Sequence, residues 1–230
     1  MDTFRKDWHM IGEGSVPLTS DESGQPFVKT ITGAAPPTAT FVGNVSGAVG
    51  VMALALEATS QVQNVCVSFG DVLALDSLML RYVEFRARMA VALGTTATTM
   101  VAFGLASERN DTIDTIAEAA LFRILGDGSD AVVVESDDGT TNNDDVATGV
   151  TLTTTFKRFG IDFSKGLSDV RFFADDANGR LTRVASGTTF DLSALTAGEG
   201  LQFYAQIQKA ANTELGTLQI DRFTVDFKEP

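Results

Sequence analysis

The residues best suited to chemistry in this chain are its acids, and their densest run is Asp137-Asp138-Gly139-Thr140-Thr141-Asn142-Asn143-Asp144-Asp145. Carboxylate and amide oxygens at this density are the ligands a hard cation such as Ca²⁺ takes. Asp137, Asp138, Asn142, Asp144 and Asp145 are the candidate ligands. The run lacks the Asp-x-Asp-x-Asp-Gly pattern of an EF-hand. Asn, Asp, Gly and Thr also gather in solvated turns for backbone reasons alone. Asn110-Asp111 and Asp175-Asp176 are smaller oxygen-rich pairs.

Glycoside hydrolysis needs two carboxylates flanking a cleft. Glu84 sits on a strand among arginines, and no Glu-x-Asp-x-x-Glu run occurs. Asp221 and Asp226 are five apart, so a regular strand sends them to opposite faces unless a bulge intervenes. The chain has one histidine, His9, and one cysteine, Cys66. That rules out a zinc site of three or four His and Cys ligands and an intrachain disulfide. It also leaves no Ser-His-Asp set to assemble in a core. The expectation is a protein that is not an enzyme.

Recognition has few aromatic tools. There are 16 Phe against 2 Tyr and 1 Trp, and Phe packs cores where Tyr and Trp present a polar tip. Tyr82 and Tyr204 fall on the polar faces of their strands, near Arg86, Arg88, Gln202, Gln206 and Gln208. Such a mixed surface suits protein contacts, although the same face also suits a glycan groove. Trp8 and Phe27 are the anchor points of the N-terminal segment. The expected interface is Trp8, Phe27, Tyr82, Arg86, Arg88 and Tyr204.

The elements that position these residues are strands. Leu201, Phe203, Ala205 and Ile207 alternate with Gln202, Tyr204, Gln206 and Gln208, a period of two with one face buried and one wet. Similar alternation marks Val49–Ala58, Val62–Phe69, Arg81–Met89, Thr99–Leu105, Thr151–Phe156 and Phe159–Phe163. Ala119–Leu125 and Ala131–Glu135 read as a hairpin, as do Val170–Phe173 and Leu181–Val184 around Asn178-Gly179. In Thr217–Phe227 the apolar parity changes between Ile220 and Phe223, which predicts a bulge near Asp221-Arg222. Ile113–Leu125 reads as a short turn and then a strand. Residues 1–40 are punctuated by Gly and Pro and are expected to form an irregular arm reaching a neighbouring subunit. Residues 41–230 form an all-β, antiparallel sandwich of the jelly-roll kind.

The net charge of −13 argues against nucleic acid and against anionic membrane surfaces. The first eight residues lack the apolar core of a signal peptide, and Val45–Leu56 is too short for a helical span.

Phe159-Gly160-Ile161-Asp162-Phe163, Val170-Arg171-Phe172-Phe173-Ala174-Asp175 and Gly179-Arg180-Leu181 resemble the strand and hairpin of the concanavalin A-like, laminin-G-like sandwiches. Leu218–Phe227 would be the closing strand, and the resemblance spans roughly residues 41–228. It implies the jelly-roll fold, and calcium as a family ligand. In style the chain also resembles bacteriophage virion proteins: acidic, rich in Thr, Ala and Gly, and nearly free of Cys and His. The expectation that follows is a capsid decoration (cement) protein on the virion surface, assembled in the host cytoplasm. Its partners would be the major capsid protein or other virion proteins and copies of itself, a trimer suiting capsid three-fold positions. The alternative is a lectin-like glycan-binding module, with calcium at Asp137–Asp145.

Overall fold

The structure is a computed structural model that describes residues 4–10, 14–17, 26–45, 48–70, 74–96, 98–195 and 200–228. In chain order its strands are β1 (Phe4–His9), β2 (Gly14–Ser15), β3 (Val28–Thr32), β4 (Thr38–Val45), β5 (Ala48–Ala55), β6 (Gln61–Ser68), β7 (Leu75–Asp76), β8 (Leu80–Val91) and β9 (Met100–Ala106). They continue as β10 (Glu118–Leu125), β11 (Ala131–Asp138), β12 (Asn142–Thr151), β13 (Lys157–Asp162), β14 (Arg171–Asp175), β15 (Leu181–Arg183), β16 (Gly200–Asn212) and β17 (Thr217–Phe227).

These strands build two antiparallel sheets. The first has nine strands, ordered β15-β14-β13-β8-β17-β5-β4-β2, with β1 also paired to β17. The second has eight, ordered β12-β11-β10-β9-β16-β6-β3, with β7 paired to β16. Period-two alternation puts one apolar set per strand between the sheets. On β8, Val83, Phe85, Ala87 and Met89 are buried there while Tyr82, Glu84, Arg86 and Arg88 point away.

Phenylalanine fills the interior. Phe85, Phe159, Phe172 and Phe223 from the first sheet meet Phe103, Phe122 and Phe203 from the second. Ring centres lie 5.1 Å apart for Phe203 and Phe223, 5.0 Å for Phe103 and Phe159, and 5.3 Å for Phe122 and Phe172. Contacts at this spacing hold the sheets together by packing rather than by polar bonds, which accounts for the composition.

The bulge expected near Asp221-Arg222 is present. Ile220 pairs with Ala87 and Arg222 with Arg86, so Asp221 is the extra residue on β17. Thr151–Phe156 differs from expectation: the strand is Asn142–Thr151, and the chain leaves the sheet after it. The N-terminal segment differs more. β1 runs against β17 from Phe4↔Phe227 to His9↔Arg222, and β3 pairs with β6. The described part of residues 1–40 is woven into both sheets, and a boundary at Phe41 falls inside β4. Extended pairing needs only backbone groups, and a segment punctuated by Gly and Pro between short pairs hides it from a periodicity reading.

The Gln face of β16 is the other difference. Gln202, Tyr204 and Gln206 are buried, not wet. The segment 107–117 crosses the outside of the second sheet above them. Ile113 and Ile116 pack there with Cys66, Ala102, Leu121 and Tyr204. Asn64 Nδ2 donates to the Asp111 carbonyl at 2.6 Å, the Ile113 N–H to Gln208 Oε1 at 3.1 Å, and Gln202 Nε2 to the Ser107 carbonyl at 3.2 Å. Glutamines that read as solvent-facing thus serve as fasteners for a covering loop, which satisfies their polar groups. Beside them Arg123, 3% exposed, pairs with buried Glu135 and with Asp114 of the covering segment.

Candidate functional site

Antiparallel pairing sets outward side chains of the nine-stranded sheet in rows across the strands. Arg171, Asp162, Tyr82, Asp226 and Arg5 form one row over β14, β13, β8, β17 and β1. The next row along holds Phe173, Gly160, Glu84, Thr224 and Asp7. The third holds Arg158, Arg86, Arg222 and His9. The bulge matters here. It keeps Asp221 on the same outer face as Asp226, which a regular strand forbids, and Asp221 there pairs with Arg86.

An open pocket of about 540 Å³ lies at the first two rows, lined by Arg81, Tyr82, Asp162, Ser164, Phe173, Leu181 and Asp226. Gly160 shapes it. A β-carbon at that position would collide with the phenolic end of Tyr82, so the absent side chain lets the ring lie flat across β13. Asp162 Oδ1 accepts the Ser164 N–H at 2.8 Å. Tyr82 Oη and Asp226 Oδ1, on paired positions, have no hydrogen-bond partner. Burial, reinforced by the nearby Glu84 carboxylate, pushes the Tyr82 phenol up, so it is a neutral hydroxyl at any ordinary pH.

Asp226 Oδ1 faces Arg5 Nε at 4.0 Å, an ion pair beyond hydrogen-bond reach, and the remaining acids of this face are taken. Glu84 accepts from Arg222 at 2.8 Å, and Asp175 from Arg158 at 2.9 Å. Burial pushes Asp221 up, with Arg86 working in the opposite direction.

Of the expected interface, Tyr82, Arg86 and Arg88 do stand on one outer face. The other three do not. Phe27 is 0% exposed and packs edge-on to Phe203 at 5.0 Å. Tyr204 is 0% exposed beneath the covering segment, its hydroxyl donating to Gln206. Trp8 lies on the inward side of β1 and stacks on Phe223 at 5.1 Å. Each has an apolar body that the core takes up.

The expected calcium run is a β-hairpin. Asp137 and Asp138 end β11, and Asn142, Asp144 and Asp145 lie on β12. Asp138 Oδ1 accepts the N–H groups of Thr140 and Thr141 at 3.0 and 2.6 Å, and its Oδ2 the Ala194 N–H at 2.9 Å. Asp137 Oδ1 accepts the Gly139 N–H at 2.8 Å, and Asp145 faces Arg123 at 3.4 Å. Asp137 pairs with Asn142 across the hairpin, but the Asp137, Asp138 and Asp145 carboxylates each already meet an N–H donor. Among the described residues no group of three or more His, Cys, Asp or Glu could hold a metal.

Asp162 and Phe173 were missed as site residues from sequence, and Asp226 was weighed only as a partner of Asp221. Parity alone could have found Asp162, which alternates with Phe159, Ile161 and Phe163; its neighbours across the sheet needed the strand order.

The fold is the concanavalin A-like jelly roll. Three solved structures share it: a Shewanella oneidensis MR-1 protein of unknown function (10% identity, 98% of this chain and 87% of that one, TM-score 0.60), peanut lectin (9%, 99% and 98%, 0.56) and the carbohydrate recognition domain of Emp47p (10%, 95% and 95%, 0.55). No family model and no curated protein sequence matches the chain.

Proposed function

We propose that this chain is a lectin-like binding module without catalytic activity, and that the pocket beside Tyr82 takes a sugar. The carrying observation is the pocket wall. It strings the ring of Phe173, the Asp162 carboxylate, the Tyr82 phenol and the Asp226 carboxylate along one pocket across β14, β13, β8 and β17. An apolar ring for a sugar face, with acceptors and a hydroxyl for its hydroxyl groups, is what carbohydrate recognition requires. Tyr82 Oη and Asp226 Oδ1 are both covered, so a ligand reaches them only if Tyr82 turns outward. Their unmet hydrogen bonds favour that turn.

Lectin and carbohydrate-recognition names among structures of this fold support the reading. The pairing of Asp221 with Arg86 and Glu84 with Arg222 supports binding over hydrolysis, because each acid is committed to a guanidinium. Capsid decoration has no comparable support in those three neighbours.

A glycan array probed with the purified chain, beside a Phe173→Ala variant, tests the reading. Hits that vanish in the variant support it. A blank array, with tight binding of the chain to capsid shells instead, would replace it with the virion role.

A further inference from the structure

Four guanidiniums crowd the middle of the outer face of the nine-stranded sheet. Arg158, Arg86 and Arg222 stand side by side on β13, β8 and β17, and Arg88 follows two residues beyond Arg86. Three carboxylates answer them: Asp175 to Arg158, Asp221 to Arg86 and Glu84 to Arg222. Arg88 is left over. Its Nε donates to Gln219 Oε1 at 2.8 Å and a terminal nitrogen to the Thr154 carbonyl at 3.1 Å, both uncharged acceptors. Among the described residues no carboxylate comes within ion-pair distance of it.

Phe156 turns this surplus into a shaped feature. The guanidinium carbons of Arg86 and Arg88 lie 4.7 and 4.6 Å from the centre of its ring. Two like charges at one ring repel each other. Cation–π attraction and the bonds to Asp221, Gln219 and Thr154 hold them in place, and an anion between them would relieve the repulsion. The chain as a whole carries −13, yet this patch sets four guanidiniums against three carboxylates.

We infer that the patch reads one acidic group on the bound glycan, a sugar carboxylate or sulfate, with Arg86 and Arg88 donating to it over Phe156. The inference rests on the reading of the Tyr82 pocket as a sugar site. Tyr82 and Arg88 are six residues apart on one strand, roughly 20 Å. A sugar in the pocket and an acid on the patch therefore belong to one oligosaccharide lying along β8. Planar guanidiniums match a carboxylate or sulfate by paired hydrogen bonds. The single positive excess within an acidic chain suits an isolated acid rather than a polyanion. At physiological salt, screening over about 8 Å confines the effect to direct contact.

The test uses the full chain and two probes: an oligosaccharide whose one charged group is a terminal glucuronic acid, and the same compound as its neutral methyl ester. Calorimetry at physiological salt should give the acid roughly fivefold tighter binding, the scale of one exposed ion pair. Arg88→Gln should bring the acid down to the level of the ester, and Arg88→Lys should recover part of the difference. Phe156→Leu, which leaves both arginines, should also narrow the gap, and thermal melts check that each variant folds. Equal affinities for acid and ester, or an unchanged ratio in Arg88→Gln, would overturn the inference. If neither probe binds, it is overturned as well. Neutral glycan hits would then leave the Tyr82 reading standing, whereas a blank array would remove both.

Discussion

The ring of Tyr82 on β8 lies across the backbone of Gly160 on β13, at a point where any β-carbon would strike the phenolic oxygen. The contact ties one glycine to the shape of the pocket. Gly160→Ala should displace the free end of Tyr82 rather than the sheet, because the struck atoms are at the tip of a side chain. The expected stability cost is within about 1 kcal/mol, while glycan binding tightens, because the displaced ring already takes the outward position that a ligand needs. Melting curves and a binding titration on one preparation check both halves.

Gly104 gives the opposite outcome. Its φ is +153°, and a β-carbon there would meet the Ala120 carbonyl and come within 2.9 Å of the Leu121 Cα. These are backbone atoms of the neighbouring strand and cannot swing aside. Gly104→Ala should cost about 3 kcal/mol or more, seen as a large drop in melting temperature or loss of soluble protein.

Buried Glu135 beside Arg123 makes stability depend on pH. Burial pushes its carboxyl from 4.5 up to about 7, although Arg123 opposes the shift. A carboxyl raised on folding holds its proton more tightly in the folded state. Its contribution is therefore complete below about 4.5 and is lost as pH rises through about 7. Denaturant midpoints across that window should fall less steeply in Glu135→Gln than in wild type. Parallel slopes would mean that Glu135 titrates normally.

The acidic hairpin should behave as a turn. Asp138→Ala removes an acceptor for the N–H groups of Thr140, Thr141 and Ala194, at a cost of about 1–3 kcal/mol. The loss should be the same in calcium and in chelator, with the wild-type melting temperature also unmoved by either. A calcium-dependent rise would show that the hairpin binds the ion after all.

Much of the fold was legible because period-two alternation reports directly on burial. Leu201, Phe203, Ala205 and Ile207 do face the core, and the parity change in β17 did mark the bulge at Asp221. What lies over a sheet is not encoded in the strand. Gln206 reads as wet until segment 107–117 is placed above it, and β1 reads as an arm until β17 offers it an edge. The site was half legible. Tyr82, Arg86 and Arg88 share a strand face, so spacing finds them. Asp162, Phe173 and Asp226 join them only through the strand order β14-β13-β8-β17, which no local pattern specifies.

Trp8 separates a woven N-terminus from a detachable one. It stacks on Phe223 at 5.1 Å and meets Phe69 at 5.6 Å. Trp8→Ala should destabilise the isolated chain by about 3 kcal/mol, measured by denaturant unfolding at low concentration. An unchanged midpoint would mean that β1 contributes nothing to its own domain.

The most direct test of the sugar site is a titration of Tyr82→Phe and wild type with the best glycan from an array. The variant removes only an oxygen that lacks a partner, so its melting temperature should hold or rise slightly. The account predicts that its affinity nevertheless falls about tenfold, the scale of one ligand hydrogen bond. Equal affinities in a variant of equal stability would contradict it and move the sugar site away from Tyr82.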